Sequence, residues 1–299
     1  MPYEADDPRS RLASAAPTGG SSSFGVATYA RFYATEPEET QTHAQTWFAR
    51  GQNFVIAYSR AEAGAKFERK GQVDEYVLLL NDRASSAIVT ANGETKAIEG
   101  YSVTFVPPGD STVEITGGGE VVRLFTTQSA DLVAKVSNPD KYIGAHPHVP
   151  EFKAWPDPVG GFKIRTYSLD VPDAPGRFGK IWRCTTFMVN YLPTKGARDL
   201  NKLSPHHHDD FEQGSLALDG SYIHHLRWPW TAKLSDWRAD EHEECAAPSI
   251  CVIPPRVVHT SACTESMNVL VDVFSPPRTD FSNMEGWVLN ADEYPMPAN

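Results

Sequence analysis

Hydrophobic and polar positions alternate over short runs through most of the chain, and the runs are rich in Val, Ile, Thr and aromatic residues. In the first half they fall at residues 26–34 (VATYARFYA), 46–59 (TWFARGQNFVIAYS), 74–80 (DEYVLLL) and 86–91 (SAIVTA). Three more follow at 102–108 (SVTFVPP), 112–116 (TVEIT) and 120–127 (EVVRLFTT). A period of two over a few residues marks strands with one buried face. Turn signals separate them: Asn81-Asp82, Asn92-Gly93, Pro108-Gly109 and the glycine run at 117–119. Residues 36–49 alone suit a short helix. A segment rich in Pro, Asp and His, 130–161, reads as a connector. Beyond it FKIRTYSLDV, KIWRCTTFMVNYL, SYIHHLRW, SICVIPP and MNVLVDVFSPP resume the strand pattern. The chain is therefore expected to be all-β, of sandwich or barrel type. Trp287 and Tyr294 predict that the tail, 278–299, packs back on the body.

The two halves echo each other. NFVIAYSRAEAGAKFE (53–68) resembles TFMVNYLPTKGARDL (186–200), and SVTFVPPGDST resembles SICVIPPRVVHT, aligning Pro107 and Pro108 with Pro254 and Pro255. Between these anchors Glu75 falls opposite Gln213. The growing offset implies loop insertions in the second half, chiefly in TAKLSDWRADEHEECAA. A tandem duplication follows, with residues 1–25 an N-terminal extension, 26–130 a first domain, 131–160 a connector and 161–299 a second domain with the tail. Residues 1–25 have the Pro, Ser and Gly content of a disordered or surface-draped segment.

Charge removes some functions. A net charge of −11 and a pI near 5.4 argue against nucleic acid, whose affinity rests on Lys and Arg neutralising phosphates. No apolar run approaches the roughly 18 residues of a membrane span. The N-terminus lacks the basic start and apolar centre of a secretory signal, so a cytoplasmic location is the expectation. The cysteines, Cys184, Cys245, Cys251 and Cys263, form no CxxC pair and are expected reduced and buried.

The chemistry gathers in SPHHHDDFEQGSLALDG (204–220) and PSICVIPPRVVHT (248–260). Residues two apart on a strand share a face, so His206 and His208 can reach one ion while His207 points away. His259, ending a strand in a facing part of a barrel, would complete a three-imidazole set suited to Fe, Zn, Cu or Ni. The surface alternative is a polyhistidine run beside two Asp residues. His146 and His148 repeat the spacing but flank Pro147 and are not counted as ligands.

These residues resemble the motifs of the cupins, and the whole chain resembles a bicupin. The first cupin motif, G(X)5HXH(X)3-4E(X)6G, is met by His206, His208, Gln213 and Gly220, with Asp199 or Leu200 where its leading glycine would stand. Of the second motif, G(X)5PXG(X)2H(X)3N, only Pro254 and His259 are met; Arg256 replaces its glycine. The resemblance implies two tandem double-stranded β-helix (jelly-roll) barrels, with one divalent metal in the second. The first domain carries Glu68, Lys70 and Thr112 where the second has His206, His208 and His259, so it is expected to be metal-free, with a structural role or one in homodimer contact.

The fourth ligand is Gln213 or Glu212, and motif spacing favours Gln213. If Asp219-Gly220 is a two-residue hairpin, Leu218 pairs with Ser221. Gln213 then faces inward with Ser215, Ala217, Tyr222, His224 and Leu226. If Glu212 faces inward instead, its companions are Leu216, Leu218, Ile223, His225 and Arg227. A neutral amide leaves the ion its full charge and makes it the stronger Lewis acid.

Three-histidine cupins include dioxygenases that chelate substrates through two oxygens, and His-rich sites with Gln resemble zinc cupin cyclases of aromatic polyketides. The expectation is thus a metal-dependent enzyme acting on a small oxygenated organic substrate. An Fe(II) dioxygenase stands first, with Zn, Mn, Ni or Cu as other ions. A redox-neutral isomerase, lyase or cyclase is the alternative, and a non-catalytic binding cupin is the third. His224, Tyr222 and Glu212 are the candidate proton-handling and substrate-contacting groups. Trp228 and Trp230 suit either a ligand lip or a rigid corner, and the acidic run 240–244 a solvated loop.

Overall fold

The computed structural model describes residues 24–144, 146–231 and 233–298. The N-terminal extension expected at 1–25 lies almost wholly outside them. The first half forms β1 (Thr28–Arg31), β2 (Glu39–Gln41), β3 (Ala44–Arg50), β4 (Phe54–Ala61), β5 (Lys66–Gln72) and β6 (Tyr76–Leu80). It continues with β7 (Ser86–Ala91), β8 (Glu94–Glu99), β9 (Ser102–Val106), β10 (Gly109–Gly117) and β11 (Gly119–Thr126). The second half forms β12 (Arg165–Ser168), β13 (Lys180–Arg183), β14 (Met188–Lys195), β15 (Gln213–Asp219) and β16 (Ser221–Arg227). It closes with β17 (Glu241–Ala246), β18 (Ser249–Ile253), β19 (Val258–Cys263) and β20 (Met267–Phe274). The strands of the sequence pattern are present. The short helix expected at 36–49 is not: β2 and β3 pair there as a hairpin, and Trp47 and Phe48 are buried on opposite faces of β3. Alternation of buried side chains outweighed helix propensity.

Four sheets stack in layers. A seven-stranded sheet (β12-β9-β6-β11-β4-β3-β2) faces a four-stranded one (β5-β10-β7-β8), closing the first barrel over Phe48, Phe67, Tyr76, Val113 and Phe125. A six-stranded sheet (β1-β18-β15-β20-β14-β13) faces a three-stranded one (β17-β16-β19), closing the second. The two large sheets meet back to back through Ile56, Tyr58, Val77, Leu79, Leu216, Leu218, Val252 and Val271. Both faces of these sheets are therefore buried, which is why β6 and β18 are buried throughout instead of alternating.

The halves exchange edge strands. β1 adds to β18 of the second barrel, and β12 adds to β9 of the first. Trp287 and Tyr294 of the tail are 2% and 1% exposed, and Tyr294 donates to the buried Glu75 carboxylate (2.8 Å). All four cysteines are free and buried. Among the described residues no helix is long and apolar enough to cross a membrane.

The expected hairpin at Asp219-Gly220 is absent: β15 and β16 belong to different sheets, and the chain turns a barrel corner between them. Gly220 permits this turn with φ of +80°, and a Cβ there would sit 2.2 Å from the Asn268 Oδ1. The inward set is nevertheless the one that accompanies Gln213, because both strands line the same interior.

Candidate metal centre

Residues 204–208 run beside β19 and form a single bridge with it at His206 and His259. His206 N–H donates to His259 O (3.0 Å), and His259 N–H to His206 O (2.7 Å). This clamp sets the two imidazole rings 4.4 Å apart, and the His208 ring lies 5.0 and 5.1 Å from them. Ligand-capable nitrogens of His206, His208 and His259 lie within 4.8 Å of one another.

Backbone carbonyls choose the tautomers. Nδ1 of His206 donates to Ser204 O, and Nδ1 of His259 to Val257 O, each at 2.9 Å. A carbonyl only accepts, so the proton sits on Nδ1 and the Nε2 lone pair is left for a metal. Burial, then Arg278 and the neighbouring imidazoles, hold His208 well below the ordinary imidazole range. Its ring stacks on Phe211 at 4.5 Å.

Gln213 opens β15 and faces inward. Its Oε1 accepts from His208 Nε2–H (2.9 Å), a proton that a bound ion would displace, while its Nε2 donates to Ser215 Oγ (2.9 Å) and Asp272 Oδ1 (3.0 Å). A carboxylate accepts only, so Asp272 fixes which end of the amide turns toward the histidines. The donor set is three neutral imidazoles and one neutral amide oxygen, a combination that fits a divalent first-row ion. Asp272 escaped the sequence reading. Its signal was present: a lone carboxylate on the inward parity of the apolar strand MNVLVDVF.

Glu212 points the other way. Its Oε2 accepts from Gln52 N–H (2.5 Å), and its Oε1 lies 3.5 Å from His146 Nε2. Burial pushes its carboxyl up to about 7. The structure thus separates Glu212 from the histidines that the sequence reading grouped it with. Glu75 makes the matching contact from the first barrel, accepting from Thr185 N–H (3.0 Å) and Thr185 Oγ1 (2.8 Å). Each barrel sends one buried carboxylate into the turn that opens a central strand of the other. Glu75 therefore corresponds to Glu212, and Tyr76 to Gln213; the sequence alignment was one residue out. Glu68 and Lys70, the expected counterparts of His206 and His208, are exposed, and the first barrel is filled by Phe67 and Tyr76 instead.

Tyr222 and His224 line the interior beside the triad. His224 Nδ1 is 2.8 Å from Ser261 Oγ, and burial, then His259, His225 and Arg31, lower its pKa to about 3. The Tyr222 hydroxyl and His224 Nε2 are buried without a hydrogen-bond partner among the described residues. A cavity of about 220 Å³ reaches His206, His259, Gln213, Asp272 and Tyr222, with Arg198, Leu192 and Leu270 on its walls. A wider hollow of about 550 Å³ at the edge of the first barrel, among Thr40, His43 and Arg60, is an open surface depression away from this chemistry. Trp228 is buried, and its indole donates to Glu241, whereas Trp230 stacks on Trp237 at 4.2 Å in the loop beyond β16. The run 240–244 is largely strand β17 and not a loop.

Arg256, at the glycine position of the second cupin motif, has φ of +67°. The left-handed conformation of the turn persists without the residue that favours it.

No protein-family model matches the sequence. No curated protein matches it either. Solved structures do. AerE from Microcystis aeruginosa aligns over 85% of this chain and 99% of its own, at 9% identity and a TM-score of 0.54. A variant of Bacillus subtilis oxalate decarboxylase aligns over 86% and 78%, at 11% identity and a TM-score of 0.55. The Lactobacillus farciminis oxalate decarboxylase–formate complex aligns over 87% and 88%, at 13% identity and a TM-score of 0.54. At these identities the likeness shows the fold alone: two jelly-roll barrels that exchange edge strands.

Proposed function

We propose that this protein is a metal-dependent enzyme whose C-terminal barrel holds one divalent ion through His206, His208, His259 and the Gln213 amide oxygen. The observation that carries the reading is the pre-set donor geometry: two tautomers fixed by backbone carbonyls and one amide oriented by Asp272. The cavity admits a small oxygenated organic substrate. The ion would supply a Lewis-acid centre to which substrate oxygens bind, polarising a carbonyl or stabilising an alkoxide.

The residues around it serve redox-neutral proton transfer best, in an isomerase, lyase or cyclase. Ser261 holds the His224 ring through Nδ1, His224 Nε2 is buried without a partner among the described residues, and the Tyr222 hydroxyl can donate to a substrate oxygen. Leu192 and Leu270 give the cavity an apolar side. Arg198, oriented by bonds to Lys202 O (2.8 Å) and Ser204 Oγ (3.1 Å), places a positive charge at the wall. The Fe(II) dioxygenase expected from the resemblance is the second reading. It is favoured by the four-donor neutral set, which leaves positions for substrate and dioxygen.

Elemental analysis of the purified protein, followed by oxygen uptake with diketone, catechol-like and hydroxy-acid substrates, separates the two. Zinc or manganese with turnover and no oxygen consumption supports the redox-neutral enzyme. Iron with stoichiometric oxygen uptake replaces it with the dioxygenase. Full metal occupancy in His259→Ala would overturn the site itself.

A further inference from the structure

On the outer face of the second barrel two more histidines meet. His225 of β16 and His242 of β17 are direct register partners, and because His224 takes the inward parity, His225 turns outward. Their Nδ1 atoms are hydrogen-bonded at 2.7 Å, one donating and the other accepting, with ring centroids at 4.9 Å; a bound ion would take the place of that shared proton. Glu244, two residues along β17 and exposed, shares this face with His242.

We propose that His225 and His242 form a second transition-metal site, separate from the barrel interior and selective for Cu(II) or Ni(II). The selectivity follows from the spacing. With metal–nitrogen bonds of about 2.0–2.1 Å, cis donors of a square-planar or tetragonal ion lie about 2.9 Å apart, against about 3.3–3.4 Å around tetrahedral zinc. The observed separation needs to open by only about 0.2 Å for the first geometry. Paired strands hold both backbones, so little ordering is left to the moment of binding. Burial and the neighbouring imidazole also lower the His225 pKa, which weakens proton competition near neutral pH. The flanking Asp240 is engaged with Arg227 (2.6 Å) and is left out of the set.

Calorimetric titration of untagged full-length protein with Cu(II) tests this, with His259→Ala removing the barrel site. The wild type is expected to bind two equivalents, and His259→Ala one, with copper EPR showing imidazole nitrogen coupling. The His242→Gln variant, altered only at an exposed position, should bind one equivalent, and the combined variant none. Absence of copper binding in folded His259→Ala, or an unchanged stoichiometry in His242→Gln, overturns the surface site. Loss of an equivalent in His242→Gln but none in His259→Ala would retain the surface site and count against the barrel ligand set.

Discussion

Replacing Asp272 by Asn tests the centre at its least obvious point. In the wild type the Asp272 carboxylate accepts from the Gln213 amide at 3.0 Å and from Ser215 Oγ at 3.3 Å, so the amide oxygen is turned toward His208. An Asn side chain presents a donor as readily as an acceptor, and Gln213 can then rotate its own amide away from the ion. Losing an orienting partner of this kind weakens metal affinity by roughly 10–100-fold, about 1.4–2.7 kcal/mol. The converse substitution sharpens the test. Gln213→Glu restores the usual cupin carboxylate but sets two negative charges about 3 Å apart. At an effective dielectric of about 20 their repulsion is about 5 kcal/mol, so the new carboxyl holds a proton instead of ligating as an anion. Competition with a chromophoric chelator for Zn(II) or Mn(II), on variants checked by circular dichroism, gives the four dissociation constants. The expected order is Asp272→Asn weaker than wild type and Gln213→Glu no tighter than wild type. The double variant should be at least about tenfold tighter than Gln213→Glu, since relieving the repulsion frees the carboxylate. Tight binding by Gln213→Glu alone, with Asp272→Asn unchanged, would refute the reasoning.

Three further outcomes are expected. Glu212→Ala strips the Gln52 N–H of its buried acceptor and should cost about 1–3 kcal/mol in urea unfolding, with metal stoichiometry unchanged; a lost equivalent would return Glu212 to the ligand set. Arg256→Gly removes a left-handed non-glycine residue that costs about 1–2 kcal/mol, so the melting temperature should rise by about 2 °C or more; a fall would mean that the Arg256 side chain contributes more than its backbone costs. Burial raises the Glu75 carboxyl above its ordinary value of 4.5. Its share of stability is then full below that value and lost as pH rises through the folded value, so Glu75→Gln should show a shallower decline than wild type in urea midpoints between pH 5 and 7.5. Parallel declines would exclude this.

Much of the fold was written in local pattern. The period of two, the turn residues and the repeated SVTFVPP and SICVIPP runs specify an all-β duplication, because side-chain alternation is a property of a strand whatever it packs against. The histidine triad was legible for the same reason: His206 and His208 share a face by parity, and His259 ends a strand after a double proline. Motif spacing favoured Gln213 over Glu212, and parity then named its inward company, although the hairpin invoked for it does not form. What the sequence could not determine was where the outward residues go. Glu212 looks like a candidate ligand, and Glu75 like the counterpart of Gln213, until the pseudo-symmetric stacking of the two large sheets turns each carboxylate toward the opposite barrel's turn. Asp272 becomes the orienting partner of Gln213 only when β20 pairs with β15. His225 and His242 become neighbours only through the register of β16 with β17. Alternation along a strand is set by covalent geometry, whereas contacts between strands far apart in the chain depend on sheet order and register. Those are decided by burying the whole apolar surface at once.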